Sequence, residues 1–136
     1  MLLTHIKQAI KTKTSASYKL PRDKELAGII HEANLYVCSL CEPSELLREN
    51  MTFEEDYNLV LRHLENGLVL KIPEYPNFRN KLLHLQMDEA LSYATIYYAC
   101  FIISKHKDMS FKANADEVIN IYRSNFSNII YGRCCI

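Results

Sequence analysis

Apolar residues recur along this chain with two different periods, and the change between them separates helical stretches from extended ones. Leu3, Ile6 and Ile10 fall at helical spacing and predict a short amphipathic helix over roughly 2–13. The polar stretch 12–19 follows as weakly structured chain. Pro21 then stands at the start of a second helix, over about 22–40, with one stripe of Leu26, Ile29, Ile30, Ala33, Tyr36, Val37 and Leu40. Pro43 stops that helix, because proline has no N–H for the ladder and its ring clashes with the preceding turn. One further helical turn is expected over 43–48.

The pattern then changes. Tyr57, Leu59 and Leu61 alternate with Asn58 and Arg62, and Leu68, Leu70 and Ile72 alternate with Val69 and Lys71. Glu65-Asn66-Gly67 lies between the two runs, and Asn-Gly tolerates the positive φ that a tight hairpin turn needs. A β-hairpin over about 57–72 is predicted; a helix through Leu64 ended by Gly67 is the competing reading. Pro73 and Pro76 lead into an irregular loop as far as about Leu85. Two long helices close the chain. The first starts near Asp88-Glu89, whose charge suits a helix N-terminus, with Leu91, Ala94, Tyr98, Phe101 and Ile102 on its apolar face. The second spans about 114–131, capped by Asn114 or Asp116, with Val118, Ile119, Tyr122, Phe126, Ile129 and Ile130 as its stripe and Gly132 as its terminator. The expected fold is mainly α, a small helical bundle with one β-hairpin and two long C-terminal helices. It forms a single domain over 1–136: a basic N-terminal helix and loop (1–20), a helical core (21–131) and a tail (132–136).

Composition narrows the function classes. With 136 residues, 49% of them apolar and 24% charged, the chain can bury a core as one globular domain. Its longest apolar run, 90–103, is interrupted by polar and tyrosine positions and is shorter than the ~20 residues of a membrane span, so it reads as a core helix with no membrane partner. Sixteen basic and sixteen acidic side chains cancel, which argues against a dominant nucleic-acid-binding surface. The cancellation is uneven. Residues 1–22 hold five cations and no acid, whereas 23–56 hold nine acids against Lys24 and Arg48. Two such regions can pair head to tail between copies of the chain, or can simply be solvated helix faces.

Candidate chemistry is sparse. The five cysteines are odd in number, and no apolar leader precedes them, so free thiols in a reducing compartment are expected. Cys38-x-x-Cys41 would need two further ligands at metal spacing to hold zinc, and no second such pair exists. A redox role would need a strand leading into a helix, and here the motif ends an amphipathic helix. Two cysteines at i, i+3 on a buried stripe read as small core hydrophobes. The histidines at 5, 31, 63, 84 and 106 are scattered, and the three glycines are too dispersed for a phosphate loop. The carboxylate pairs Glu54-Glu55 and Asp88-Glu89 read as helix-terminal or solvated. No catalytic residue, cofactor or metal is therefore expected. The nine tyrosines suit either protein interfaces or the domain's own core.

Three segments carry a resemblance: 70–76 (Leu-Lys-Ile-Pro-Glu-Tyr-Pro), 87–98 (Met-Asp-Glu-Ala-Leu-Ser-Tyr-Ala-Thr-Ile-Tyr-Tyr), and 115–122 (Ala-Asp-Glu-Val-Ile-Asn-Ile-Tyr) with Asn125-Phe126. Together with an opening helix, a helix that has Asp23-Lys24-Glu25-Leu26 near its start, a hairpin and two closing helices, the pattern over about 20–130 resembles the head-completion, or adaptor, proteins of tailed bacteriophages. The resemblance implies a dodecameric ring, assembled in the host cytoplasm and retained in the virion. The ring would bridge a portal protein and a downstream stopper or tail protein, with DNA passing through its lumen without sequence-specific binding. It also implies that Asn125, Phe126, Ile129, Ile130, Tyr131, Arg133 and Ile136 dock on the portal. Lys7, Lys11 and Lys13 would then meet the acidic region of the neighbouring subunit. The rival expectation is a small helical regulatory or host-interaction protein that binds one cellular partner through a groove.

Overall fold

A computed structural model describes residues 1–49, 59–65 and 67–130, with the side chains of the last helix described as far as Asn125. The described chain is mainly helical. Its elements are α1 (Leu3–Thr14), α2 (Asp23–Leu40), a 3-10 turn (Ser44–Leu46), β1 (Leu47–Glu49), β2 (Val60–His63), β3 (Leu68–Lys71), α3 (Glu89–Ile103) and α4 (Met109–Ile130).

Helix α3 is the axis of the fold, and α1, α2 and α4 all pack on it. A one-sided stripe was the expectation. Instead Leu91, Ser92, Ala94, Thr95, Ile96, Ala99, Cys100 and Phe101 are all buried, because three helices surround this one. Small residues let those neighbours approach, and Thr95 donates to the side-chain oxygen of Asn34 on α2 at 2.9 Å, satisfying two buried polar atoms. Helix α1 runs in the same direction as α3: Leu2 bridges to His84 near the start of α3, and Lys13 lies over the Tyr97 ring further along it. Leu3, Ile6 and Ile10 are its buried face, as their spacing predicts. Helices α2 and α4 run the other way. Ser44, just past the end of α2, and Tyr122 of α4 both bond to Asp88 at the start of α3.

On α2 the stripe holds except at its end. Leu40 is 38% exposed, and Cys38 and Cys41 take the inward positions there. Gly28 lets the 73–79 loop lie close, since a Cβ at that position would stand 3.1 Å from the Tyr75 hydroxyl.

The hairpin is present, but within a three-stranded antiparallel sheet of order β1-β3-β2. His63 opposes Val69, the Leu64 N–H donates to the Leu68 carbonyl at 2.9 Å, and Gly67 takes φ +80, as a tight connection requires. A bulge lies between Val60 and Arg62. Leu59 is exposed, while Val69 and Leu70, on opposite faces of the central strand β3, are both buried. Tyr57 and Asn66 lie outside the described residues. The helical turn expected over 43–48 shrinks to the 3-10 turn, and Leu47–Glu49 extends to pair with β3 instead.

Helix α3 ends without glycine. The His106 N–H donates to the Phe101 carbonyl and the Lys105 N–H to that of Ile102, the two bonds of a Schellman motif, with the His106 ring edge-on to Phe101 at 4.9 Å. Lys105 and His106 hold φ 59 and 63 to make it. Helix α4 starts at Met109 rather than at Asn114. Asp108 accepts the Ser110 N–H at 3.2 Å and caps the helix there, five residues before the sequence expectation. No helix among the described residues is long and apolar enough to cross a membrane.

Candidate functional site

Among the described residues, the cysteine side chains lie inside the fold. Cys38, Cys41 and Cys100 are buried, and burial pushes each thiol up to about 12, so they stay protonated at neutral pH. A protonated, enclosed thiol is neither a nucleophile nor a ready metal ligand, and Cys38 and Cys41 serve as the core hydrophobes that their spacing suggested. No group of three or more His, Cys, Asp or Glu residues among those described could hold a metal ion.

Three polar nodes tie the elements together. In the first, the Asp88 carboxylate, sitting at the N-terminus of α3, does not bond to α3's own N–H groups. It accepts instead from the Ser44 hydroxyl at 2.6 Å, the Glu45 N–H at 2.8 Å and the Tyr122 hydroxyl at 2.6 Å. One carboxylate thus caps the neighbouring 3-10 turn and fixes the last described buried residue of α4. Burial and the bond to Asp88 push the Tyr122 phenol up to about 12, so it acts as a neutral donor. In the second, Arg62 of β2 reaches the end of α2, donating to the Cys38 and Cys41 carbonyls and pairing with Glu42 at 2.9 Å. The last turn of α2 has no basic residue of its own, and the sheet supplies one. The third is a stack of Tyr36 on Tyr98, with ring centroids 3.8 Å apart, and the Tyr36 hydroxyl bonded to Asp116, which also pairs with Lys112 at 3.0 Å. Burial is the main cause raising the Tyr36 phenol, followed by that bond. All three nodes join elements of the fold. Tyr36, Tyr98 and Tyr122 belong to them, whereas Tyr93 stands exposed.

The residues expected to meet partners separate into two sets. Helix α4 meets the start of α3 at Tyr122 and then continues for eight residues, about 12 Å at 1.5 Å per residue. Arg123, Ser124 and Asn125 at the base of this extension are exposed. The side chains of Phe126, Ile129 and Ile130, and all of Tyr131, Arg133 and Ile136, lie outside the described residues. The lysines belong to α1. Lys7 is already paired within the chain, 2.6 Å from Asp23, with the Phe78 ring 5.8 Å away. Lys13 lies 4.7 Å from the Tyr97 centroid, and Lys11 is exposed one turn after Lys7. Lys11 and Lys13 end α1 towards the far end of α3, so the fold does not bring them to the α4 extension. Sequence reasoning missed Asp88 as the node's acceptor and Arg62 as a cap. A negative residue before an apolar run flagged the first position, but nothing in a single sequence pairs Arg62 with α2.

No family model, curated protein or solved structure matches this chain.

Proposed function

We propose that the chain is a non-enzymatic structural subunit, an adaptor that joins the portal to the tail or neck of a tailed bacteriophage as part of a homo-oligomeric ring. The observation that supports this reading is the extension of α4. Its last eight residues run past the level at which the helix is anchored to α3, and Arg123, Ser124 and Asn125, the residues there whose side chains are described, are exposed. In sequence that extension carries Phe126, Ile129 and Ile130 at i, i+3 and i+4, one apolar face of a helix, with Arg123 at its base as its single charge. Such a face fits a groove on another protein, the mode in which an amphipathic helix docks by its apolar anchors. The portal protein is the partner that the family resemblance implies for this segment. The Asp88 node below the extension would hold it at a fixed angle, as a docking arm needs. Three interior thiols and a neutral phenol leave these groups structural work only.

Truncation after Asn125 tests this. The shortened chain keeps every described buried contact, so its circular dichroism and melting temperature should stay close to those of the full chain. Recovery of a portal-type protein, or of ring-shaped particles, with tagged chain from the native source should be lost. Unchanged co-purification with the truncated chain would remove the extension from the interface.

A further inference from the structure

At the end of the bundle opposite the α4 extension, segments distant in sequence bring cations together. Lys19 and Arg22 of the α1–α2 connection and Lys105 of the α3–α4 connection line one shallow depression of about 340 Å³. Lys107 follows two residues after Lys105, and Lys11 and Lys13 close the last turn of α1, where Lys13 acts on the Cys100 thiol of α3. None of these six has a carboxylate at ion-pair distance among the described residues, whereas Lys7 and Lys112 do. The acids nearby are few. Asp23 is paired with Lys7, Asp108 caps α4, and Glu25 is the one carboxylate that lines the depression. Overall neutrality excludes a basic field over the whole molecule, but not this local one.

Lys105 is fixed at this place by the backbone. It stands at the left-handed position of the Schellman motif, where glycine is the unstrained choice, and the chain keeps a lysine there at φ 59. His106 beside it holds φ 63 as well, so the turn sets this conformation, and it leaves the Lys105 cation beside Lys19 and Arg22.

We propose that this end of the bundle is a contact surface for the phosphodiester backbone of nucleic acid, formed chiefly by Lys13, Lys19, Arg22, Lys105 and Lys107. The surface is open and carries mostly flexible lysines acting as point charges, around a depression whose lining adds Leu20, Pro21 and Ile103. Those features suit phosphates spaced along a strand, read without regard to base sequence. Tyr97, half-buried under Lys13, gives the patch an aromatic edge. The inference deepens the adaptor reading, in which DNA passes through the ring, but it rests on residues apart from the α4 extension and is tested on the isolated chain without a protein partner.

Fluorescence anisotropy with a labelled duplex of arbitrary sequence tests it on the full chain. Affinity should fall with salt along a slope of about −4 to −5 in log–log form, as five contacts of about −0.9 each predict. Two unrelated duplex sequences should bind equally. Lys19→Glu/Arg22→Glu/Lys105→Glu, checked for fold by circular dichroism, should weaken binding more than tenfold and reduce the slope by about 3. Arg48→Glu/Lys71→Glu, at the sheet end, should leave binding within about twofold. The proposal is overturned if the full chain does not bind duplex at 50 mM salt, if the triple variant binds as well as the parent, or if polyglutamate displaces the duplex at lower charge concentration than unlabelled DNA. The last result would assign the patch to an acidic protein surface.

Discussion

Replacing Lys105 by glycine should make the protein more stable, although it removes a side chain and adds backbone freedom to the unfolded state. Lys105 sits at φ 59 because the Schellman motif that ends α3 needs a left-handed residue at that position. For a residue with a Cβ, that conformation costs roughly 1–2 kcal/mol. Glycine avoids this cost but loses about 0.5–1 kcal/mol more chain entropy on folding. The net gain is then about 0.5–1 kcal/mol, which for a chain of this size raises the melting temperature by about 2–4 °C. Lys105 is exposed and has no carboxylate partner among the described residues, so no packing or described ion pair is lost with it. Lys105→Ala is the control, because it removes the charge but keeps the Cβ and should shift stability by less than about 0.5 kcal/mol. Within a helix alanine is the more stable of the two by about 1 kcal/mol; at position 105 the order should reverse. Thermal and urea unfolding followed by circular dichroism measure the difference. Glycine no more stable than alanine would refute the left-handed assignment and the strain reasoning built on it. If the basic patch binds phosphate, the same glycine variant should also bind duplex more weakly, gaining stability as it loses function.

Other consequences can be measured on the same unfolding curves. Asp88→Ala removes the acceptor of the Ser44 hydroxyl, the Glu45 N–H and the Tyr122 hydroxyl, and should cost about 2–4 kcal/mol, with Asp88→Asn intermediate; a loss below about 0.5 kcal/mol would show that the node does not hold the elements together. Arg62→Ala uncovers the carbonyls at the end of α2 and breaks the pair with Glu42, for a loss of about 1–3 kcal/mol, and lysine there should recover only part because it lacks the guanidinium fork. Alkaline pH should destabilise the fold. Cys38, Cys41 and Cys100 titrate near 9.0 when unfolded but are raised to about 12 by burial, so their contribution is intact below pH 9 and is lost as pH rises towards 12; Tyr122 adds the same sign from pH 10. The urea midpoint should therefore fall from pH 8.5 to 11, and more shallowly in Cys38→Ala/Cys41→Ala/Cys100→Ala. A midpoint flat with pH in the parent would contradict the burial of the thiols.

The helices were legible wherever one face carries the apolar residues, as on α1 and α2, since a 3.6-residue period leaves a one-sided stripe. Helix α3 shows where that signal weakens. A helix enclosed by three others has small and hydroxyl residues such as Ser92, Ala94, Thr95 and Ala99 buried all round it, and the stripe is only part of its buried surface. Strand β1 was not legible, because Leu47-Arg48-Glu49 has neither alternation nor β-branched residues and becomes a strand through the free edge that β3 offers it. The start of α4 was missed because its cap, Asp108, follows a run of lysine and histidine that looks like loop, and in its first turns Ala115 and Ile119 are buried while Phe111 and Val118 pack half-buried against the core. At the level of the site, the excess of cations in 1–22 was visible, but the patch was not. It exists only because the α3–α4 connection folds back against the α1–α2 connection, placing Lys105 beside Lys19 and Arg22 across more than eighty residues of sequence. The same fold pairs Lys7 with Asp23, the first acid of the 23–56 region, inside one chain.

The proposal of an assembly subunit is tested most directly by recovering tagged chain from its native source and viewing the eluate by negative-stain electron microscopy, with the co-purifying proteins identified by mass spectrometry. The account predicts closed rings or capsid-attached particles together with a portal-type protein, both lost on truncation after Asn125. A soluble complex of this chain with a single cellular protein, without rings or particles, would contradict it and assign the chain to the regulatory class.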